Sequence, residues 1–219
     1  MHFEILVEDQ TGQKALENLV PKIIGTGPHT FKLHPYKGIG SIPKKMTAPT
    51  MAKMQTLLAN LPGQLQAYGK TFAASASQAA VIVVCDLDRN NKNTFLCSLL
   101  SILQACNPKP VTRFCLAIEE GEAWLLGDIP AIKAAYPHAK DSVLNSYVND
   151  SICGTWELLA DAIYPGGCGK LKSQGWPAWG NEKYYWAKKI TPYMDVDCNV
   201  SPSFVFFRDQ LRNLAGSSN

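Results

Sequence analysis

The residues that most constrain the fold are 80–85 (AVIVVC), a continuous apolar run made mostly of β-branched residues. Such a run is typical of a central strand that is buried on both faces of a parallel sheet. Parallel strands need crossover connections, which are usually helices. The run therefore predicts an α/β fold, and the Asp86-Leu87-Asp88 segment that follows it should lie at the carboxyl edge of the sheet.

The surrounding sequence alternates between strand and helix patterns. We predict further strands at 3–8, 30–36 and 112–118, and helices at 11–24, 50–77, 93–106 and after Glu119. Pro21 should kink or end the first helix, and a break near residues 61–63 should leave the second as one or two helices. Together these elements predict a Rossmann-like parallel sheet of about four strands flanked by helices.

The strand signal fades after Asp128, and the rest of the chain has the pattern of short helices. We expect residues 1–127 to form the α/β core and residues 128–219 a helical extension packed on it as one unit. Residues 164–180 are rich in Gly and Pro and predict a long ordered loop. The helices are expected at 129–136, 141–149, 154–163, 181–190 and 203–214.

Composition excludes several classes of protein. A net charge of +3 is too small for the whole chain to attract nucleic acid, so any basic surface must be local. The 7 cysteines contain no C-x-x-C pair, which argues against a disulfide framework and against a zinc site. Without a signal sequence or an apolar run of about 20 residues, we expect a soluble, cytoplasmic protein with no membrane partner. The sequence leaves a monomer and a homo-oligomer both open.

Acidic residues follow three of the predicted strands: Glu8, then Asp86 and Asp88, then the acids within 119–122. The carboxyl ends of parallel strands are where open α/β sheets bind ligands. Asp86 and Asp88 should point the same way, and a hard cation would relieve their repulsion. Oxygen ligands alone favour Mg²⁺ or Mn²⁺. The simpler alternative for a single D-x-D is a loop of solvated acids.

These residues resemble the Toprim domain of topoisomerases, DnaG-type primases and OLD-type nucleases. The segments VEDQTGQKALE, YKGIGSIPKK, VIVVCDLDRN, AIEEGEAWLLGD and SPSFVFFRDQL are more closely similar to a family of small stand-alone Toprim-like proteins related to the OLD-type nucleases. The first similarity covers residues 1 to about 127, and the second covers nearly the whole chain. Asp9 stands where many Toprim domains have Gly, and Gly12 stands where many relatives carry an acid.

The resemblance implies a metal site and a catalytic role for its members. Glu8 would be the first-strand acid, acting as a ligand or a general base, Asp86 and Asp88 the D-x-D pair, and Glu122 the later acid, with Glu119 a weaker metal candidate. In OLD-type enzymes a lysine from the helical part approaches the metal, and Lys183 is the candidate here. The implied chemistry is hydrolysis of phosphodiesters with one or two metal ions.

Two basic regions are candidates for binding nucleic acid. The first is the loop after the second strand, where a phosphate backbone could be held, although an ordinary solvated loop is the alternative. The second is the segment 170–189, where lysines alternate with aromatic residues that either stack on unpaired bases or simply pack. Arg89 would pair with a carboxylate or a scissile phosphate. The predicted nucleic-acid contacts are Lys37, Lys44, Lys45, Arg89 and Lys188.

The leading hypothesis is therefore a magnesium-dependent Toprim nuclease acting on DNA or RNA. By analogy with its relatives, it would be an anti-phage defence effector regulated by an ABC- or SMC-like ATPase encoded nearby. The alternative is a non-catalytic Toprim module that binds metal together with nucleic acid or a protein partner. The small net charge and the departures at Asp9 and Gly12 favour this alternative.

Overall fold

A computed structural model describes residues 1–25, 27–43, 55–75, 78–152 and 154–216 of the chain. It contains a four-stranded, all-parallel sheet in the order β2-β1-β3-β4. The strands are β1 (His2–Val7), β2 (Thr30–Pro35), β3 (Ala79–Asp86) and β4 (Thr112–Ala117). The prediction of a Rossmann-like α/β fold with a helical C-terminal part is confirmed.

Three helices of the first half connect the strands, and a short fourth helix follows β4. They are α1 (Gln10–Ile24), α2 (Leu57–Ala73), α3 (Lys92–Gln104) and the short α4 (Glu122–Leu126). The helices of the second half are α5 (Ile129–Ala135), α6 (Asp141–Leu144), α7 (Thr155–Ile163), α8 (Gly167–Ser173), α9 (Trp176–Ile190) and α10 (Pro202–Ala215). None of the helices in the described part of the chain has both the length and the apolar character needed to cross a bilayer.

Two hydrophobic cores cover the two faces of the sheet. One face packs against α2 and α3 through residues such as Leu6, Val83 and Leu99. On the other face, α1 and the helices that follow Asp128 share a single core with β1 and β3, which includes Phe3, Ile82 and Phe204. This shared core holds α9 and α10 against the sheet, so residues from the second half can reach its edges.

Several predicted boundaries are wrong. Helix α1 continues through Pro21 to Ile24, and α2 continues through Pro62. The predicted loop 164–180 instead contains all of α8 and the start of α9. Its glycines act as helix boundaries, since Gly166, Gly167 and Gly175 have positive φ angles of 93°, 72° and 85°. The helix predicted at 141–149 is only the single turn of α6.

Candidate metal centre

The topology of the sheet creates a crevice between the ends of β1 and β3. The chain passes from β1 to β2 on one side of β1, whereas β3 and β4 lie on the other side of β1. The direction in which successive strands are added to the sheet therefore reverses between β1 and β3. In open parallel sheets this reversal point is the usual ligand site. Glu8 follows β1 and Asp86 ends β3, and therefore both acids lie at this crevice.

Backbone contacts fix Glu8 and Asp86 beside each other. The Glu8 amide donates to the carbonyl of Val84 at 3.2 Å, which extends the β1–β3 pairing by one residue. A carboxylate oxygen of Glu8 accepts from the Asp86 amide at 3.0 Å. The next residue, Asp9, caps α1 by accepting from the Gly12 amide at 2.7 Å. The two acids are consequently placed by the sheet and not by a flexible loop.

Lys183 of α9 reaches the same edge from the helical half of the chain. Its ammonium nitrogen lies 3.2 Å from a carboxylate oxygen of Glu120 and 3.2 Å from one of Glu122. The Glu122 side chain is only 3% exposed, and that of Lys183 is 15% exposed. The structure therefore brings Glu8, Asp86, Glu122 and Lys183 together around one cavity of about 60 Å³, which has room for a few water molecules.

The acids at this edge of the sheet lie in surroundings that disfavour their negative charge. Burial raises the pKa of Glu8 to about 7, and the neighbouring acids Asp9 and Asp88 add to the effect. Burial and the charge of Glu8 raise the pKa of Asp86 well above its usual range. Burial also raises the pKa of Glu120 to about 7, even though Lys183 opposes the shift. Each shift means that the pocket favours a lower negative charge or an added cation.

Lys183 places one positive charge among these carboxylates. Burial alone would lower the pKa of its ammonium group, but the carboxylates of Glu122, Glu120 and Asp86 outweigh burial and raise it above the usual value. The raised pKa keeps Lys183 protonated at neutral pH. Its position also means that the cluster is not purely acidic, because one fixed cation lies inside it.

Glu119, by contrast, has a different position from the one expected of a metal ligand. Its carboxylate accepts from the amides of Gly154 and Thr155 at 2.9–3.0 Å and from the Thr155 hydroxyl at 2.7 Å. A carboxylate at this place caps the N-terminus of α7 and complements its dipole. Glu119 does not line the cavity, and its role as a metal ligand stays a prediction.

Two acids beyond the ends of β3 and β4 have a left-handed backbone. Asp88 and Glu119 have φ angles of 49° and 61°, and the Asp88 amide donates to the Glu119 carbonyl at 2.8 Å. Non-glycine residues rarely adopt this conformation, and where they do they cluster at functional sites. The turn at Glu119 sends its side chain to α7 and leaves Glu120 facing Lys183. Asp88 is exposed at the rim of the site, outside the cavity lining.

Sequence reasoning missed Glu120 as a member of the site. The available signal was the pair Glu120 and Glu122, two residues apart directly before a helix.

Two of the predicted nucleic-acid contacts lie near residues of the site. Lys37 is exposed next to Gly38, whose amide donates to the Glu8 carbonyl, and Arg89 is exposed beside Asp88.

The remaining predicted contacts are less informative. Lys188 is exposed on α9, five residues beyond Lys183 and so on another face of the helix. Lys44 and Lys45 lie outside the described residues.

The donor set fits a hard divalent cation, since every ligand candidate offers carboxylate oxygen. The raised pKa values of Glu8 and Asp86 are what such a cation would reverse. In the present arrangement, no three Asp, Glu, His or Cys side chains within 1–25, 27–43, 55–75, 78–152 and 154–216 converge closely enough to hold a metal ion. Rotation of side chains would therefore have to accompany metal binding.

Comparison of the chain with family models, with curated proteins and with solved structures gives no match.

Proposed function

We propose that this chain is a metal-dependent phosphodiesterase of the Toprim type that hydrolyses nucleic acid. The observation that carries the proposal is the convergence of Glu8, Asp86, Glu122 and Lys183 at the switch point of a parallel sheet. Carboxylates that share one cavity and one lysine are suited to holding a divalent cation beside a phosphate. The motifs that resemble Toprim domains contain three of these four residues.

Each residue has a role that follows from its position. Glu8, Asp86 and Glu122 would hold Mg²⁺ or Mn²⁺, with Asp88 joining from the rim. The metal would supply Lewis acidity and a water of lowered pKa. Lys183 would donate to a phosphate oxygen and offset negative charge that develops on it. Glu120, whose pKa is about 7 and which is not one of these ligands, can accept or release a proton near neutral pH.

A non-catalytic, metal-binding module is the second candidate, and one observation favours it. Lys183 already lies within 3.2 Å of Glu120 and Glu122, so the cluster has a counter-charge without any metal. In such a module, the site would bind nucleic acid or a protein partner without turnover. Metal binding is common to both candidates, and cleavage distinguishes them.

The deciding experiment incubates the protein with plasmid DNA, single-stranded DNA and transfer RNA in Mg²⁺, in Mn²⁺ and in chelator. We expect metal-dependent cleavage that falls by roughly 10²-fold or more in Glu8→Gln and Asp86→Asn. Glu17→Gln is the matched control, because Glu17 is an exposed acid of α1 paired with Lys14. Cleavage that persists unchanged in Asp86→Asn would show a contaminating nuclease, and metal binding without cleavage would favour the second candidate.

Regulation by an ABC- or SMC-like ATPase and a role in anti-phage defence form part of the same proposal. Their support is the resemblance to OLD-related proteins. Purification of the chain together with the product of a neighbouring ATPase gene, followed by the cleavage assay with and without ATP, tests this partnership. An ATPase that neither copurifies with the chain nor changes cleavage would remove the partnership and leave the phosphodiesterase proposal standing.

A further inference from the structure

A group of three tryptophans lies where the start of α9 meets α7. The Trp179 ring stacks on Trp156 of α7, with centroids 5.2 Å apart and planes 16° apart. Trp176 meets Trp179 edge-on at 6.1 Å. The ammonium group of Lys172 lies 5.3 Å from the centroid of the Trp156 ring. Trp176 itself is 69% exposed, which leaves a large aromatic surface open to solvent.

The exposed ring of this group, Trp176, lies on the same helix as Lys183. Trp176, Gly180 and Lys183 are spaced by four and three residues, so they share one face of α9. The rise of an α-helix puts Trp176 and Lys183 about 10 Å apart along its axis. The Trp176 ring extends toward Lys183, because a Cβ built on Gly180 would lie 4.0 Å from Cε2 of that ring.

Lys172 fixes the inner ring of this group against α7. Glu157 of α7 pairs with Lys172 at 3.0 Å, and the same lysine lies over the Trp156 ring. A strand whose phosphate lay at Lys183 would therefore have the exposed Trp176 ring about 10 Å away along α9.

We propose that Trp176, supported by Trp179 and Trp156, stacks on an unpaired base of a single-stranded nucleic acid whose phosphodiester lies at Lys183. The inference rests on the proposed function for the phosphate end of this path. Bases in a duplex already stack on each other, so a flat protein ring binds bases that are unpaired. Lys172, which is exposed beside the Trp156 ring, would contact the backbone.

Charge alone is a poor source of affinity at this surface. The acids of the cavity, and Glu157 beside it, repel phosphates, and the net charge of the chain is only +3. Stacking on an aromatic ring does not depend on charge and accepts any base. Base stacking therefore selects the strand, and the acidic site acts on the phosphate that follows.

Binding is tested in chelator, so that cleavage cannot interfere. Fluorescence anisotropy would compare four labelled 12-nucleotide probes: a deoxythymidine strand, a uridine strand, an abasic strand of equal charge, and a DNA duplex. We expect both base-bearing strands to bind more tightly than the abasic strand and the duplex.

Variants then assign the binding to the ring. We expect Trp176→Ala to weaken single-strand binding by about tenfold or more, and Trp176→Phe to retain much of it. Tyr193→Ala is the matched control, since Tyr193 is an aromatic residue, 59% exposed, beyond the opposite end of α9. Circular dichroism establishes that each variant is folded.

The outcomes separate this inference from the proposed function. Equal binding of the base-bearing and abasic strands, unchanged binding in Trp176→Ala, or no binding at all overturns the stacking platform. Metal-dependent cleavage in that case leaves the phosphodiesterase intact. Trp176-dependent binding without any cleavage supports the platform and contradicts the enzyme.

Discussion

At the scale of single residues, Lys183 is the cation that offsets the negative charge of the buried carboxylates. Replacing it by Met leaves the carboxylates of Glu120 and Glu122 facing each other with no cation between them. We expect Lys183→Met to lower the free energy of unfolding by roughly 2–4 kcal/mol at pH 8. The loss should be smaller at pH 5.5, where the acids are protonated more easily. Urea denaturation at both pH values measures it.

The control for this substitution is another lysine that pairs with an acid at the surface. Lys133 contacts Asp141 at 2.6 Å, but the two side chains are 42% and 61% exposed. Water screens such a pair, so Lys133→Met should cost less than about 1 kcal/mol at either pH. Equal effects of the two substitutions would mean that Lys183 contributes no more than an ordinary surface charge.

Glu119 and Glu122 are neighbours in sequence with separate roles, and matched substitutions distinguish them. Glu119→Gln weakens the cap of α7, so we expect a loss of about 1–2 kcal/mol in stability. Stabilisation by Mg²⁺ should persist in this variant. Glu122→Gln should abolish that stabilisation, because it removes a proposed ligand. Thermal unfolding with and without Mg²⁺ measures both effects. Loss of the stabilisation by Mg²⁺ in Glu119→Gln would show that Glu119 is a metal ligand.

Residue positions were predictable where an extended strand controls them. Glu8 and Asp86 follow regular strands, so the sequence alone placed them at one edge. Glu119 and Asp88 were not predictable in this way, because their left-handed backbone ends the alternation of side chains. The choice of Lys183 came from family resemblance, since no local pattern distinguishes it from the other lysines of α9.

At the scale of elements, α2 contains two glycines with opposite surroundings. A Cβ added to Gly63 meets no atom within 4 Å, whereas one added to Gly69 would lie 1.9 Å from the Pro108 carbonyl oxygen. We expect Gly63→Ala to stabilise the protein by about 0.5–1 kcal/mol through helix propensity. Gly69→Ala should destabilise it, since backbone must move. Melting temperatures that shift in the same direction for both would contradict this description of α2.

The same helix shows why sequence rules fail at element boundaries. Pro62 removes one hydrogen bond from α2, yet Leu61 and Leu65 beside it are fully buried in the core. Burial of such side chains contributes about 1.5–3 kcal/mol each, which offsets the cost of the proline. Proline and glycine rules describe local preference alone, and the core that outweighs them consists of residues distant in sequence.

At the scale of the whole molecule, the fold brings acids from β1, β3 and the end of β4 to one edge, together with a lysine from the second half of the chain. Without a metal, this concentration of charge works against stability. The sheet and the shared core must compensate for it. Stability should therefore depend on pH in a direction set by these carboxyl groups.

The pKa of Glu8 is raised from 4.5 to about 7 in the folded chain, and that of Glu120 is also about 7. Between these values the folded state binds more protons than the unfolded state, so stability decreases as pH rises from about 4.5 through 7. Metal binding requires deprotonated acids and should strengthen over the same range. We expect the melting temperature without metal to fall from pH 5 to pH 8, and Mg²⁺ to recover most of that loss at pH 8. The double variant Glu8→Gln, Asp86→Asn should show a flatter pH dependence and no recovery. A wild-type stability that rises across this range would contradict the charge assignment on which the site depends.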